Sequence, residues 1–360
     1  MSAFTIDEVT TAAGLHALAG EWAALSDAAP AGPFGIPAVA LAWWDHLGRG
    51  RPLVVTARDG AGRLVGLAPL HERRIAGLDV VRWLGFGLGA VGEVLTRPGV
   101  DDVSDAIWQH LSGSSRRVLQ LVEYRHGGEG LDELRRSTAW QVSAELRDAC
   151  PVVDGRGHAD VASFLAEPGR RKLRQNLARY DRQAERDDAA LTVEVHTTAE
   201  AIEGVLGDLT VVHDRAEEAH PRLHFLADPW RPFTVDALRR CAAEGRAAAF
   251  IVRLGGRPVG LHVVLTTGAT AYAWLARYDP SASAYAPGHI MLRAVVGWAI
   301  EQGFPTLDLQ LGDDPYKLRW SSSTYDTVGV LAAAPGRLAR GRVQLRALDA
   351  AHAAKARLRR

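Results

Sequence analysis

The chain has 360 residues, 47% of them hydrophobic, and its 42 basic and 42 acidic side chains give a formal net charge of zero. This length is sufficient for two domains with substantial cores. The neutral balance provides no overall field that would recruit nucleic acid or a membrane surface. Two cysteines, Cys150 and Cys241, are too few for a disulfide framework or a cysteine-based metal site. No leader pattern or long apolar span is visible, so we expect a cytoplasmic protein without membrane insertion.

The first third of the chain predicts two helices and then a β-meander. Apolar spacing predicts helices over about 11–27 and 39–47. Alternating apolar runs separated by glycine turns predict the meander strands at 53–57, 64–70 and 80–84. A strand, a helix and a strand follow near 93–96, 102–112 and 118–123. The helix begins with Pro98-Gly99-Val100-Asp101-Asp102, in which we expect the two carboxylates to cap it and neutralise its dipole.

A basic segment, RRKLRQNLARYDRQAER at 170–186, has strong helical character. Leu173, Leu177 and Tyr180 share one face of the predicted helix, and most of the remainder is basic. One interpretation is a grip on phosphate groups. The other is a solvated linker helix that docks through its three apolar residues.

A polar cluster at 213–220 contains His213, Arg215, Glu217 and His220. On a helix, His213 and Glu217 share a face, but the spacing does not fit the HExxH zinc pattern, so we expect no metal here. The remaining interpretations are substrate recognition by His213, Arg215 or Glu217, and simple surface exposure. His262, inside an apolar strand, is either a satisfied core histidine or an inward-facing base.

A second meander repeats the pattern of the first. Strands are predicted at 250–254, 259–266 and 271–278, and AFIVRLGGRPVGLHVVL parallels VVTARDGAGRLVGLAPL through a shared strand, glycine turn and VGL core. We interpret the chain as two copies of one unit that mixes helices with a sheet.

The helix after the second meander begins at Pro287-Gly288-His289-Ile290 without a carboxylate in its first turn. Such a start combines unpaired amides with the positive end of the helix dipole, which favours an anion such as phosphate. An ordinary strand-to-helix connection is the competing interpretation. Gly303 ends this helix, and a strand is predicted over Thr306–Leu311.

Three residues near this strand carry candidate chemistry. Asp308 inside the apolar strand either positions or deprotonates an acceptor amine, or forms a buried pair with Lys317 or Arg319. Tyr316 is a candidate proton donor to a leaving group, or a packed aromatic. Lys317 is a candidate ligand for a phosphate or a carboxylate, or a surface lysine.

The run from Tyr278 to Trp320 resembles the CelD-like acetyltransferases of the GNAT superfamily. The resemblance is carried by Tyr278-Asp279-Pro280, Pro287-Gly288, Gly303, Asp308, Gly312 and the Tyr316-Lys317-Leu318-Arg319-Trp320 motif, with weaker matches upstream. It implies two tandem GNAT-like units of mixed α/β class, each a mostly antiparallel sheet flanked by helices. Instead of the family's short glycine-rich phosphate loop, Arg277 is followed by a longer loop with the single glycine Gly288.

The resemblance implies an N-acyltransferase that moves an acyl group from an acyl-CoA such as acetyl-CoA to an amine. The acceptor is a small molecule or a cell-envelope or natural-product precursor. Catalysis is expected from Asp308, Tyr316 and Lys317, and substrate binding from His213, Arg215, Glu217, His262 and Trp320. Cofactor contacts are expected from Arg277, Tyr278, Pro287, Gly288, His289 and Ile290.

Two alternatives remain open at the level of sequence. One is a transferase like the Fem-type enzymes that uses aminoacyl-tRNA, with the basic helix at 170–186 and the basic C-terminus as tRNA contacts. The other is a non-catalytic binding subunit with the same fold. We predict an N-terminal unit over 1–150, a linker helix over 151–190, a catalytic unit over 191–335 and a basic helix over 336–360, in a monomer or homodimer.

Overall fold

A computed structural model describes residues 4–29, 32–89, 91–219 and 225–343. Within these, the chain folds as two compact units. The first contains residues 4–44, 48–148 and 326–343, and the second contains 45–47 and 149–325. The four-part division expected from the sequence stays a prediction. Of the expected C-terminal helix, residues 338–343 are helical and 344–360 lie outside the described residues.

Within the described residues, the first unit includes strands β1 to β7, the last of which is shared with the second unit, and five helices. The strands are β1 (Thr5–Val9), β2 (Arg51–Arg58), β3 (Leu64–Ile75), β4 (Leu78–Trp83), β5 (Leu95–Thr96), β6 (Arg117–Arg125) and β7 (Gln141–Asp154), the last continuing into the second unit. The helices are α1 (Ala12–Ala17), α2 (Ala19–Ala28), α3 (Pro37–Leu47), α4 (Val103–Leu111) and α5 (Glu129–Arg136).

The second unit adds six helices and six strands. The helices are α6 (Val161–Leu165), α7 (Arg171–Arg186), α8 (Ala199–Ala219), α9 (Arg231–Ala243), α10 (Pro287–Glu301) and α11 (Pro315–Leu318). The strands are β8 (Leu191–His196), β9 (Ala247–Leu254), β10 (Arg257–Thr267), β11 (Thr270–Tyr278), β12 (Thr306–Asp308) and β13 (Ser323–Ala333). From Asp326 onward, β13 belongs to the first unit.

The two units have the same strand plan, which confirms the predicted mixed α/β class and mostly antiparallel sheets. In the first, the order is β1-β2-β3-β4-β6-β13, and only β4 and β6 are parallel. In the second, the order is β7-β12-β11-β10-β9-β8, and only β11 and β12 are parallel. In each unit, the parallel pair is joined by the crossover helix, α4 or α10, as a parallel connection requires.

A glycine at the same place in each VGL core lets the crossover helix approach the sheet closely. A Cβ on Gly66 would lie 2.0 Å from Cγ1 of Val103 at the start of α4. A Cβ on Gly260 would lie 2.9 Å from the sulfur of Met291 in α10. The shared motif therefore reflects a shared packing requirement, because any side chain at these positions would push the helix away.

Each unit has its own apolar core. In the first, the edge-to-face rings of Trp83 and Tyr124, with centroids 5.3 Å apart, lie among buried residues of β2, β3, α4 and α5. In the second, Val295, Val296 and Ala299 of α10 pack on β9, β10 and β11, together with Phe164 of α6 and Leu173 and Leu177 of α7. The apolar face predicted for the basic helix is therefore confirmed for its two leucines.

Three local expectations need correction. The first predicted helix is two helices, α1 and α2, that meet at Leu18. Asp102 occupies the N-cap of α4 with a left-handed backbone (φ +59°), but its side chain makes no capping hydrogen bond. The strand predicted over Thr306–Leu311 ends at Asp308.

Among the described helices, none is both long enough and apolar enough to cross a membrane.

Candidate active site

A cavity of about 350 Å³ lies in the second unit at the beginning of α10. Its walls are formed by residues of α8, β10, β11, the segment that leads into α10, α10 itself and the loop that contains α11. Seven of the residues expected to form the site line it, namely His262, Arg277, Tyr278, Pro287, Gly288, His289 and Tyr316. Residues that are more than fifty positions apart in the chain therefore share one cavity.

The N-terminus of α10 carries no side-chain cap. Its N-cap residue Ala286 has a left-handed backbone (φ +48°), and the first turn contains no carboxylate. The carbonyl of Ala286 accepts hydrogen bonds from the amides of His289 (2.9 Å) and Ile290 (3.3 Å), and the Ile290 side chain is buried in the core. Cofactor contacts were expected from Gly288, His289 and Ile290. Of their three backbone amides, that of Gly288 is the one not hydrogen-bonded to Ala286. The positive end of the dipole of this fifteen-residue helix still lies at the cavity.

Strands β11 and β12 pair over only three residues and then separate. The parallel register joins Thr270–Tyr272 to Thr306–Asp308, after which the chain turns toward β7, where the Leu309 amide donates to the Pro151 carbonyl at 2.9 Å. The pairing of β11 with β12 therefore covers only the first part of β11. The register against β10 also shifts at Trp274, which is the extra residue of a β-bulge. An extended ligand has a backbone edge to pair with here.

His262 is a buried imidazole in the cavity wall. It is 3% exposed, and neither ring nitrogen has a hydrogen-bond partner among the described residues. Burial, assisted by the nearby charge of Lys317, lowers the pKa of His262 to about 3. The ring is therefore neutral at physiological pH, with one nitrogen that donates and one that accepts. Buried polar atoms are usually satisfied, so this ring is a strong indication of a ligand site.

Acid should destabilise the protein through His262. Its pKa is about 3 in the folded chain and 6.5 in the reference state, so below pH 6.5 the unfolded chain binds a proton that the folded chain does not. The free energy of unfolding should fall with decreasing pH by up to about 1.4 kcal/mol per pH unit from this residue. Urea unfolding between about pH 7 and 5 measures this slope, and His262→Gln should reduce it. Equal slopes in wild type and His262→Gln would contradict the prediction.

Two of the residues predicted from the sequence hold the loop after β12. The Asp308 carboxylate is 2% exposed and accepts hydrogen bonds from the Gln310 amide (2.7 Å) and the Tyr325 hydroxyl (2.7 Å). The Lys317 ammonium donates to the Leu311 carbonyl at 2.5 Å. The cavity lining does not include Asp308 or Lys317, whereas the neighbouring Tyr316 belongs to it. The first two residues thus shape the loop that presents the third.

Trp320 is fully buried and makes its polar contact with the head of α10. Its indole Nε1 donates to Nδ1 of His289 at 3.2 Å, and its ring stacks on Phe164 with centroids 6.3 Å apart. This placement leaves the indole no surface for a substrate, in contrast to the expectation from the sequence.

The polar cluster of α8 is linked to the cavity by a hydrogen bond to Arg277, which lines the cavity. Glu217, which is 8% exposed, accepts a hydrogen bond from Arg277 Nε at 3.0 Å and lies 4.0 Å from Nε2 of His213. His213 is buried at 3% exposure, so surface exposure does not describe these two residues. Arg215 instead contacts Asp279 at 3.4 Å.

Asp279 shapes the approach to α10. Its carboxylate accepts a hydrogen bond from the Ser281 amide at 2.9 Å, which caps the 3₁₀ turn Pro280–Tyr285 just before the helix. It also pairs with Arg257 at 2.9 Å. The Tyr-Asp-Pro motif is thereby explained as a means to set the loop that precedes the uncapped helix.

Sequence reasoning missed several lining residues, among them Ser283, Met291, Asp314 and Ala216. Asp314 is the N-cap residue of α11 and the one carboxylate among the described lining residues. Its position next to Asp313 and Pro315 carries a turn signal, but nothing in the sequence indicates that it faces the same cavity as Arg277.

The described residues contain no group of three or more His, Cys, Asp or Glu side chains arranged to hold a metal ion. His220, the third member of the metal interpretation considered for the cluster at 213–220, lies outside the described residues.

Comparisons with known proteins give information on the second unit and on the fold. Residues 171–318 match the family model described as an acetyltransferase (GNAT) domain. No curated protein matches the sequence. The match is to the broader GNAT domain, so the CelD-like assignment stays a prediction.

Solved structures with a similar fold cover nearly the whole chain. FemX gives a TM-score of 0.62 at 11% identity over 94% of this chain and 100% of its own. The C-terminal domain assigned to a lysylphosphatidylglycerol synthetase of Agrobacterium fabrum gives 0.61 at 13% identity over 94% and 96%. L-PGS from Bacillus licheniformis gives 0.53 at 14% identity over 84% and 90%. At these identities, the similarity establishes the fold.

Proposed function

We propose that this protein is an acyltransferase that moves an acyl group from an acyl-CoA to an amine, because residues 171–318 match the family model described as an acetyltransferase (GNAT) domain. The acceptor is a small molecule or a precursor of the cell envelope or of a natural product. The observation that carries the proposal is the uncapped start of α10, which opens on a cavity that His262 and Tyr316 also line.

The diphosphate of CoA binds at the head of α10 in this proposal. Gly288 supplies an amide and leaves room, since a Cβ there would meet only the Tyr278 ring at 3.8 Å. The helix dipole favours the negative charge, and Arg277 lies in the same cavity wall. A cavity of about 350 Å³ is in the range of small-molecule sites and suits the thioester end of the donor rather than all of CoA.

The second half of β11 polarises the thioester in this proposal. The parallel register with β12 ends at Tyr272, and the bulge at Trp274 redirects the backbone beyond that point. An amide of this stretch that donates to the thioester oxygen would stabilise the negative charge that develops on it during attack. The early end of the register with β12 supports an extended pantetheine arm alongside the second half of β11.

The reaction proceeds by direct attack of the amine nitrogen on the thioester carbon. A carbon–nitrogen bond forms, the carbon–sulfur bond breaks, and the sulfur leaves with the bonding electron pair. Tyr316 gives its phenolic proton to the sulfur and recovers a proton from the nitrogen, so the enzyme returns to its initial state. His262 accepts a hydrogen bond from the amine and orients it. Asp308 and Lys317 position the loop that carries Tyr316.

Calorimetric titration of the whole protein with CoA and acetyl-CoA tests this proposal. We expect a dissociation constant in the micromolar range for each, with a moderate loss of affinity as salt is raised, because few phosphate charges are engaged. Binding should be followed by the release of CoA thiol when amines are screened. An absence of binding to both ligands would overturn the proposal.

A second candidate, a transferase that uses aminoacyl-tRNA, is favoured by one observation. Helix α7 exposes six cations on its surface, namely Arg171, Lys172, Arg174, Arg179, Arg182 and Arg186. The same calorimetric method with tRNA as the ligand tests this candidate. Binding of tRNA that weakens steeply as salt is raised, together with no binding of CoA, would support this candidate over the first.

A further inference from the structure

The hydrogen bond between Trp320 and His289 has a chemical consequence for the head of α10. An indole N–H can only donate, so Nδ1 of His289, 3.2 Å away, must be the acceptor and carry no proton. A neutral imidazole has a single N–H, which then resides on Nε2. His289 is half-buried and lines the cavity, and no partner for its Nε2 occurs among the described residues.

We infer that Trp320 is a positioning residue that holds His289 in the neutral tautomer with the proton on Nε2, so that this side chain donates to an anionic oxygen at the head of α10. The ligand class is a phosphoryl group, in keeping with the proposed acyl-CoA site on which this inference rests. The binding group is the His289 side chain, and Trp320 acts through it.

The backbone at this helix start makes such a donor useful. The amides of His289 and Ile290 already donate to the Ala286 carbonyl, which leaves Gly288 to serve an incoming anion. Anion sites at helix starts usually combine several donors. A side-chain N–H in the first turn restores a second donor at the place where the dipole is strongest.

The groups packed around His289 favour the neutral ring. From α7, Tyr180 stacks on it with centroids 6.2 Å apart, and Asp181 is already paired with Arg293 of α10 at 2.7 Å. Arg319, which follows α11, contributes positive charge, and burial and this charge together lower the pKa of His289.

The cavity wall adds one cation, Arg277, and one anion, Asp314, together with the neutral His262. Protonation of His289 at Nδ1 would also break the hydrogen bond from the indole. The donor is therefore available without a charge change through the physiological range, and the affinity for a phosphoryl ligand should vary little with pH in that range.

Nitrogen-15 spectroscopy of histidine-labelled, ligand-free protein tests the tautomer without any assumption about CoA. The chain has 13 histidines, so the His289 signals are assigned by their loss in His289→Gln. We expect the protonated nitrogen to be Nε2 and the Nδ1 shift to be that of an acceptor. A proton on Nδ1 in the wild-type protein would overturn the inference, whether or not CoA binds.

Substitution of Trp320 separates positioning from simple packing. In Trp320→Phe, we expect a mixture of tautomers and a higher His289 pKa, since the indole donor is gone. CoA affinity should then increase as the pH falls through that value, while the wild type stays flat over the same range. Trp298→Phe, which removes an indole from α10, serves as the control and should keep the wild-type tautomer and pH profile. A uniform loss of affinity at every pH in Trp320→Phe would show a packing role only.

Two substitutions at His289 keep the test decisive even when Trp320→Phe folds poorly. Gln retains one acceptor and one donor, so His289→Gln should bind CoA within about threefold of wild type. Leu has neither, so His289→Leu should lose about tenfold in affinity, the effect of one hydrogen bond to a charged group. Equal affinities for the two variants would contradict the donor role of the side chain.

Discussion

Replacing Gly288 by Asp is expected to weaken CoA binding by about 30- to 1,000-fold. The new carboxylate would lie in the first turn of α10, where the site we propose for the diphosphate has a donor amide and the end of the helix dipole. Repulsion between like charges about 4 Å apart costs up to about 4 kcal/mol near a protein surface, and such a residue also neutralises the dipole. Calorimetry gives the dissociation constants directly.

Gly288→Asn is the matched control for this substitution. Asn has nearly the same shape as Asp without the charge, and the space at Gly288 admits a Cβ at ordinary contact distance from Tyr278. We expect less than about a fivefold loss for Asn, the scale of less than one hydrogen bond. Equal losses for Asn and Asp would show that crowding, and not charge, governs the site, and the diphosphate would then have to bind elsewhere.

Removal of the Tyr316 hydroxyl is expected to lower kcat by at least about 100-fold, the usual range for loss of a general acid. The phenol lines the cavity, and in the proposed reaction it delivers the proton to the departing sulfur. Tyr316→Phe keeps the ring, so the dissociation constant for CoA should stay within about twofold of wild type. Release of CoA thiol, followed with the best amine from the screen, measures the rate.

Tyr278→Phe is the control for Tyr316→Phe. Tyr278 also lines the cavity and is 40% exposed, so the loss of its hydroxyl should change kcat by less than about threefold. A wild-type kcat in Tyr316→Phe would remove this residue from the chemistry. A loss that is seen only as weaker CoA binding would assign it to the cofactor site instead.

The helix at the centre of the site could be predicted because its determinants are local. Pro287 and Gly288 open it, its apolar residues recur at helical spacing, and the chain leaves the helix before Gly303; the observed bounds are Pro287–Glu301. The two meanders were equally accessible, since alternating apolar runs and glycine turns lie within a few residues of one another. These signals need no knowledge of distant contacts.

The roles of Asp308 and Trp320 could not be predicted in the same way. The expected partners of Asp308 were Lys317, Arg319 or a substrate, whereas its observed bonds include the Tyr325 hydroxyl and the Gln310 amide. Trp320 was expected to contact substrate, but it is buried against Phe164, more than 150 positions earlier. Which side chains meet across such distances depends on tertiary packing, which leaves no periodic trace in the sequence.

The last strand of each sheet was missed for a related reason. Strand β13 completes the first unit from near the end of the chain, and β7 supplies the second unit from before its other strands. Pairing between strands that are distant in sequence is the part of a fold that local patterns report least.

Strand β13 follows the second unit in the chain but completes the sheet of the first unit. This order changes how mutations along the gene should be interpreted. A nonsense codon shortly after Ser322 would leave every residue of the proposed active site translated, yet it would remove the strand that pairs with β6 in the N-terminal unit. The exposed edge of β6 would then be open to association with other chains. Late truncations in this gene should therefore be recorded as lesions of the N-terminal unit, and clones of that unit should carry the distal coding segment.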